Sequence, residues 1–219
     1  MSEALETSEV SQAATEAEER GAKRFEMLCG LTLAVFAAIL AITDLGGGKY
    51  GDDEIIGTNE KANLYAWYQS KSIKQGVVEG ERDLVAALLE GGVIVPESRA
   101  ALEARVKAAS DEIARYKAEK KEILEGSEAV GPAGQVLETN GLKGQVVGTK
   151  PLEAQLAVLG AAGDVFDMAT LYLQLCLVLG AIALVLQDAR MKKGFYAGTV
   201  VLGTIGTVYT VRAFLVAMG

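Results

Sequence analysis

The chain carries few of the side chains with which proteins usually perform chemistry. It contains no histidine and only two cysteines, Cys29 and Cys176. Histidine is the usual general base, the commonest metal ligand and the usual axial ligand of haem, so sites built on imidazole are excluded. Both cysteines lie in apolar runs, where cysteine usually packs as a small hydrophobic residue. We therefore expect no catalytic site, no cofactor and no enzymatic activity.

Residues 46–54 are the segment most similar in composition to a ligand-binding loop. They read Gly-Gly-Gly-Lys-Tyr-Gly-Asp-Asp-Glu, without the glycine spacing and the Ser or Thr after Lys that a phosphate-binding loop requires. The carboxylates of Asp52, Asp53 and Glu54 are suitable for a hard cation, but they do not alternate with other residues as the ligands of a calcium loop do. We therefore expect no metal site here.

Arg212 is an ionisable residue inside an apolar run, where a charge is costly and often functional. It lies about 25 Å along a helix from Phe195, near the expected membrane surface, where a long side chain can reach polar groups. We expect it to extend to this surface or to pair with Asp44, Asp164 or Asp167.

Three apolar segments must position these residues. A helix needs about 20 apolar residues to cross a hydrocarbon core of about 30 Å. The segments cover residues 25–45, 166–187 and 195–218, and an acidic tail of residues 1–24, predicted to be disordered, precedes them. The predicted fold class is an all-α membrane protein with three transmembrane helices and an extramembrane helical hairpin or coiled-coil bundle.

The basic residues predict the orientation of the spans. Three of them lie in the short loop of residues 188–194, and Lys23 and Arg24 precede the first span. Basic residues in short loops mark the cytoplasmic side, so we expect a cytoplasmic amino terminus and a central domain on the opposite side. A cleaved signal peptide is the alternative for the first apolar segment, but the long acidic start and the lack of an A-x-A site favour a retained anchor.

Residues 46–165 are predicted to form the extramembrane helical domain. Three consecutive glycines, residues 46–48, are expected to break the first helix. The predicted elements that follow are helices over about residues 58–89 and 97–125, a glycine-rich segment over 126–150 and a helix from residue 151. The glycine-rich segment is either a hairpin around Asn140-Gly141 or a plain loop.

The helix over residues 97–125 carries a stripe with alternating spacing of four and three, which is typical of coiled coils. Its members are Leu102, Val106, Ala109, Ile113, Tyr116, Lys120 and Ile123, of which Lys120 alone is charged. We expect this stripe to pack on the preceding helix through Ile73, Val77, Leu84 and Leu88.

The third span is rich in glycine and threonine. Gly203 and Thr207 form a small-xxx-small pair, which favours close approach between membrane helices. The pair could pack within one chain or form the seam of a homo-oligomer, and the sequence leaves both alternatives open.

Residues 59–75, Asn-Glu-Lys-Ala-Asn-Leu-Tyr-Ala-Trp-Tyr-Gln-Ser-Lys-Ser-Ile-Lys-Gln, carry a resemblance to a known family. The stretch resembles the signature of uncharacterised bacterial membrane proteins defined by the domain of unknown function DUF4337. The acidic start, early span, charged helices and final pair of spans are also similar to that family. The resemblance implies a bacterial membrane protein, and it implies no activity, cofactor or site. From the resemblance together with the distribution of basic residues, we expect a bacterial inner-membrane location with a periplasmic or extracellular central domain.

Five residues of this stretch are candidate interaction residues: Tyr65, Trp67, Tyr68, Lys71 and Lys74. Tyr and Trp favour the headgroup level of a bilayer, where lysines meet lipid phosphates, so a lipid-facing belt is one interpretation. A docking patch for a protein partner is the other, because Trp and Tyr are frequent contact anchors.

These patterns favour a non-enzymatic membrane scaffold or accessory subunit that assembles with itself or with a larger membrane complex. The alternative is an oligomeric channel or transport component, in which Arg212, Gln174 and threonines would line a path. The net charge of −8 and the lack of a basic tract argue against nucleic acid as a partner.

Overall fold

Helix α1 determines the layout of the chain, because it runs without interruption from Ser2 to Glu90. The computed structural model describes residues 2–92 and 94–218, with side chains from residue 20 onward. In that part of the chain the other elements are α2 (Pro96–Glu125), α3 (Ser127–Gly134), β1 (Glu138–Thr139), β2 (Leu142–Lys143), α4 (Thr149–Val185) and α5 (Ala189–Met218). The fold is therefore helical apart from one short hairpin.

The continuity of α1 differs from two predictions. Residues 2–24 are helical rather than disordered, which agrees with the high helix propensity of their many alanines and glutamates. The helix also continues through the glycines at 46–48, because each costs only about 0.5–1 kcal/mol relative to alanine. At Gly46 an added Cβ would lie 2.6 Å from Cζ of Phe214 and 2.9 Å from Cε1 of Phe166, so this glycine admits two rings.

The chain forms two units. The apolar unit comprises Met1–Asp52 and Val158–Gly219, and the polar unit comprises Asp53–Ala157. Three helices are long and apolar enough to cross a membrane, and they lie within α1, α4 and α5, as the sequence predicts. The second ends at Val185, slightly before the predicted boundary at residue 187.

Small residues bring the three helices of the apolar unit close together. A Cβ added to any of three glycines would collide with a side chain of another helix: Gly180 with Leu33, Gly203 with Phe36 and Gly206 with Leu173. Cys29 and Cys176 are both fully buried and unpaired, as expected of packing residues. The hydroxyl oxygens of Thr43 and Thr210 lie 2.8 Å apart and join α1 to α5.

In the polar unit, the predicted stripe of α2 lies on the least exposed face of that helix. Ile113, Tyr116 and Ile123 are only 3%, 8% and 0% exposed, and Leu102 and Val106 are half-buried. The stripe is therefore the packing face of α2.

The partner surface on α1 differs from the prediction. Ile73, Val77, Leu84 and Leu88 are 62%, 66%, 63% and 41% exposed, so they do not cover α2. The contacts come from another face of α1, where Leu64, Trp67 and Tyr68 pack against the cluster that contains Ile123, Lys71 pairs with Glu119, and Glu81 pairs with Arg105. Aromatic rings and the long stems of charged side chains cover an interface as aliphatic residues do, and the prediction counted only aliphatic ones.

The segment from residue 126 to 150 contains the hairpin rather than a plain loop. Strands β1 and β2 pair antiparallel, with Glu138 opposite Lys143. The two residues between the strands, Asn140 and Gly141, both have positive φ, 54° and 78°, as a tight two-residue hairpin turn requires. Helix α4 then begins at Thr149, close to the predicted start at Pro151.

Candidate interaction surface

One side of residues 59–75 of α1, which we call the inner face, packs against α2 and the segment of residues 126–150. Trp67 and Tyr68 pack against a buried cluster formed by Ile123 of α2, Leu137 before β1 and Val146 after β2. A single aromatic pair thus contacts both α2 and the segment that follows it, which gives these two residues a structural role.

Glu122 anchors the same segment from the side of α2. Its carboxylate is fully buried and accepts three hydrogen bonds. The hydroxyl of Ser127 donates to Oε1 at 2.7 Å, and the backbone N–H groups of Val136 and Leu137 both donate to Oε2 at 2.8 Å. A buried carboxylate needs such donors to replace the water it has lost, so Glu122 and this segment are stable only together.

Charged contacts continue the inner face. Lys71 Nζ lies 2.7 Å from Oε2 of Glu119, and their side chains are only 18% and 10% exposed. Lys120 Nζ lies 5.3 Å from the centre of the Tyr68 ring, within range of a cation–π contact. Trp67, Tyr68 and Lys71 are therefore engaged in contacts within the protein.

The opposite side of α1 presents an exposed stripe, which we call the outer stripe. It comprises seven residues spaced alternately by four and three: Ala66, Ser70, Ile73, Val77, Gly80, Leu84 and Ala87. All seven are exposed, including the three large aliphatic side chains. The outer stripe thus has the spacing of a coiled-coil face, and within the described residues it remains exposed.

A shallow groove marks the start of the outer stripe. The cavity has a volume of about 430 Å³ and is lined by Ala66, Gln69, Ser70, Ile73 and Lys74. Tyr65, 44% exposed, lies on the same turn of α1 as Ala66. Of the remaining two candidate residues of the motif, Lys74 therefore lines this groove, and Tyr65 is exposed about 100° around the helix from Ala66.

The small residues of α5 serve contacts inside the apolar unit. Gly203 is buried beneath Phe36, and Thr207 Oγ1 donates to the carbonyl oxygen of Gly203 at 2.7 Å. Thr204 and Thr210 likewise donate to carbonyl oxygens of their own helix. Gly203 thus packs against α1 within one chain, and each of these three threonine hydroxyls donates within α5.

Of the two alternatives for Arg212, extension to the membrane surface or an ion pair, the structure does not show the ion pair. Within the described ranges, no salt bridge joins it to Asp44, Asp164 or Asp167, and all four side chains are exposed. Asp44 Oδ1 accepts a hydrogen bond from Thr170 at 3.2 Å. Arg212 lacks this ion pair because α5 packs through Thr210 and its buried neighbours, whereas Arg212 lies on the exposed side of the helix.

Among residues 20–92 and 94–218, no group of three or more Cys, Asp or Glu side chains is arranged to hold a metal ion. The model for the domain of unknown function DUF4337 matches residues 25–216. The chain belongs to the DUF4337 family. The DUF4337 match covers the three apolar helices and the whole polar unit, and it leaves out the acidic start. Neither the curated proteins nor the solved structures contain a match to this DUF4337 chain.

Sequence reasoning missed Glu122 and the exposure of the outer stripe. Glu122 directly precedes Ile123 of the predicted stripe and lies four residues before Gly126. A charged residue next to the packing face at the end of a helix was the available sign that it could be buried. Three residues of the outer stripe, Ile73, Val77 and Leu84, were predicted to form an interface, but the sequence pattern does not tell which face of a helix meets a given neighbour.

Proposed function

We propose that this DUF4337 protein is a non-enzymatic integral membrane scaffold or accessory subunit that associates through the outer stripe of α1. The observation that carries the proposal is the exposure of Ile73, Val77 and Leu84, at 62%, 66% and 63%, on a continuous helix with coiled-coil spacing. The stripe extends about 32 Å from Ala66 to Ala87. Exposed apolar surface of this extent is typical of a binding site.

A second copy of the chain is the occupant that fits the stripe. Copies inserted in one membrane have the same orientation, so equivalent segments of α1 meet in a parallel arrangement, with equal residues at equal heights. Small residues at Ala66, Gly80 and Ala87 alternate with larger ones and allow the two helices to approach.

The charges beside the stripe are compatible with this parallel pair. Residues that flank a parallel coiled coil face residues five positions along the partner helix. This arrangement places Gln69 opposite Lys74, Gly76 opposite Glu81, and Asp83 opposite Leu88. No like charges oppose each other, so the flanks do not repel.

The apolar area supports association as well. Full burial of a Val, Leu or Ile side chain is worth about 1.5–3 kcal/mol. Because Ile73, Val77 and Leu84 are each about two-thirds exposed, each would contribute about 1–2 kcal/mol in each copy. Anchoring in a shared membrane raises the effective concentration of the partner and lowers the cost of association.

The proposed location is a bacterial inner membrane, with the amino terminus in the cytoplasm and the polar unit on the opposite side. The support is the basic residues Lys23, Arg24, Arg190, Lys192 and Lys193, which all lie at the same end of the candidate spans.

The experiment is gentle extraction into native nanodiscs followed by mass determination and identification of co-purifying proteins. The wild-type chain is expected at twice the monomer mass of 23.0 kDa, and the double variant Ile73→Ser, Leu84→Ser is expected as a monomer. Leu142→Ser is the matched control, because Leu142 is 57% exposed but lies on β2. A monomeric wild-type chain without partners would refute the scaffold, and a stripe variant that remains dimeric would refute the role of the stripe.

A further inference from the structure

A cavity of about 650 Å³ lies at the basic end of the apolar unit. Ala22 and Phe25 of α1 form one side, and Gln187, Lys192 and Lys193 form the other. Its lining thus combines apolar surface with two ammonium groups. Because it lies at the ends of three helices able to cross a membrane, its depth matches that of lipid headgroups.

The surroundings of the cavity are strongly basic. Lys23, Arg24 and Arg190 are exposed beside the two lysines of the lining. Two carboxylates with described side chains neighbour the lining in the sequence, those of Glu26 and Asp188, and Asp188 also caps the start of α5, since its Oδ1 accepts hydrogen bonds from the backbone N–H groups of Arg190 and Met191 at 3.0 and 2.8 Å. Among the side chains that the structure describes, Glu26 forms a salt bridge with a lysine of the lining, and Asp188 forms none.

The two lysines of the lining differ in their contacts. Lys192 is held in place, with Nζ 3.0 Å from Oε1 of Glu26 and 5.6 Å from the centre of the Phe25 ring, and its side chain is only 15% exposed. Lys193 is exposed, and within the described ranges it forms no salt bridge. The cavity therefore offers one oriented cation and one free cation beside an aromatic wall.

We propose that this cavity binds the phosphate group of an anionic phospholipid headgroup. Lys193 and Lys192 contact the phosphate oxygens, and Phe25 and Ala22 pack against the glycerol and the first carbons of the acyl chains. Basic pockets between membrane helices bind anionic lipids in this way. The site is independent of the outer stripe, so either proposal can fail without the other.

Lipid retention on the full-length protein tests the site. The wild-type chain and its variants are purified in detergent, mixed with phosphatidylglycerol or phosphatidylcholine, and analysed by native mass spectrometry. We expect the wild-type chain to retain phosphatidylglycerol preferentially. Lys193→Gln is expected to weaken retention about fivefold, as each lysine near a membrane surface contributes about 1 kcal/mol. Equal retention of the two lipids, or unchanged retention in Lys193→Gln, would overturn the proposal.

Two further variants separate a site from general surface charge. Glu26→Gln frees Lys192 from its carboxylate, so phosphatidylglycerol should bind more tightly, which a purely structural role of Glu26 would not produce. Lys49→Gln is the matched control, because Lys49 Nζ lies 5.8 Å from the ring centre of Tyr50 at the other end of the first span, and retention should not change. An equal loss in Lys49→Gln would contradict a localised site. Displacement of the lipid by millimolar inorganic phosphate would contradict the assignment to a lipid.

Discussion

Replacing Glu122 with glutamine is expected to loosen the segment of residues 126–150 from α1 and α2. The carboxylate accepts hydrogen bonds from the Ser127 hydroxyl and from the N–H groups of Val136 and Leu137. An amide offers one oxygen to these three donors and presents an NH₂ group on its other side. At least one donor therefore loses its acceptor.

The magnitude follows from the number and type of these hydrogen bonds. A hydrogen bond to a charged group contributes about 1.5–3 kcal/mol, against about 1 kcal/mol for a neutral one. Exchanging three charged bonds for at most two neutral ones would by itself cost about 2.5–7 kcal/mol. The lower desolvation cost of the amide offsets part of this cost, so we expect a net loss of about 2–4 kcal/mol for Glu122→Gln. Glu122→Ala should cost more, because it leaves all three donors without this acceptor.

The protein contains its own probe for this experiment. Trp67 is the only tryptophan of the chain, and it packs against the cluster of Ile123, Leu137 and Val146 that Glu122 holds in place. Denaturant unfolding followed by Trp67 fluorescence should show the loss of stability. Glu125→Gln is the control, since its side chain is 33% exposed and its lysine partners lie 3.8 and 4.0 Å away, so we expect a loss below about 1 kcal/mol. Equal losses in the two variants, or none in Glu122→Gln, would refute the reasoning.

The remaining predictions concern the apolar unit and the topology. Gly46→Ala should destabilise the protein by about 1–3 kcal/mol, because the added methyl group would overpack against Phe166 and Phe214. Gly48→Ala meets open space, so it should be neutral or stabilise the protein by up to about 1 kcal/mol. Thermal unfolding in detergent distinguishes the two signs. Thr43→Val and Thr210→Val should each cost about 0.5–1 kcal/mol, and the double variant should cost less than their sum, whereas additivity would contradict a shared hydrogen bond. A cysteine introduced at Ser110 should react with an impermeant thiol reagent from outside the cytoplasm, and labelling from the cytoplasm alone would reverse the topology.

Hydropathy and periodicity predicted the elements that depend on local sequence. The three apolar helices, the stripe of α2 from Leu102 to Ile123 and the start of α4 near Pro151 all follow from residue spacing and from proline or glycine at the ends. The turn at Asn140-Gly141 was identifiable for the same reason, because its geometry requires residues that tolerate positive φ. Local patterns were sufficient wherever a residue's own conformational preference decides its structure.

Contacts between distant residues decided the features that the sequence did not predict. Gly46 does not end α1, because its lack of a side chain is used by Phe166 and Phe214, which lie far along the chain. Glu122 is buried because donors more than a dozen residues later surround it. Neither partner set is visible in the local sequence, so the sequence alone predicts a helix break at the glycines and does not single out Glu122.

In the candidate interaction surface, too, local sequence predicted the helix, whereas contacts between distant residues decided which face packs. Three aliphatic residues of the outer stripe, Ile73, Val77 and Leu84, were expected to cover α2, but they are exposed. The face that covers α2 instead carries Trp67, Tyr68 and Lys71. Trp67 and Tyr68 contact the cluster that contains Ile123 of α2, and Lys71 pairs with Glu119 of the same helix. The sequence pattern does not tell which face of a helix meets a given neighbour, and only the three-dimensional packing distinguishes the faces.

Cross-linking in native membranes tests the central claim most directly. In a parallel pair of α1 helices, residue 77 of one copy lies opposite residue 77 of the other, so Val77→Cys should give a disulfide-linked dimer under mild oxidation. The native cysteines Cys29 and Cys176 are both fully buried and should not contribute. Ser110→Cys, on the exposed face of α2, is the control and should remain monomeric. A Val77→Cys protein that stays monomeric, or that cross-links no better than Ser110→Cys, would contradict association through the outer stripe.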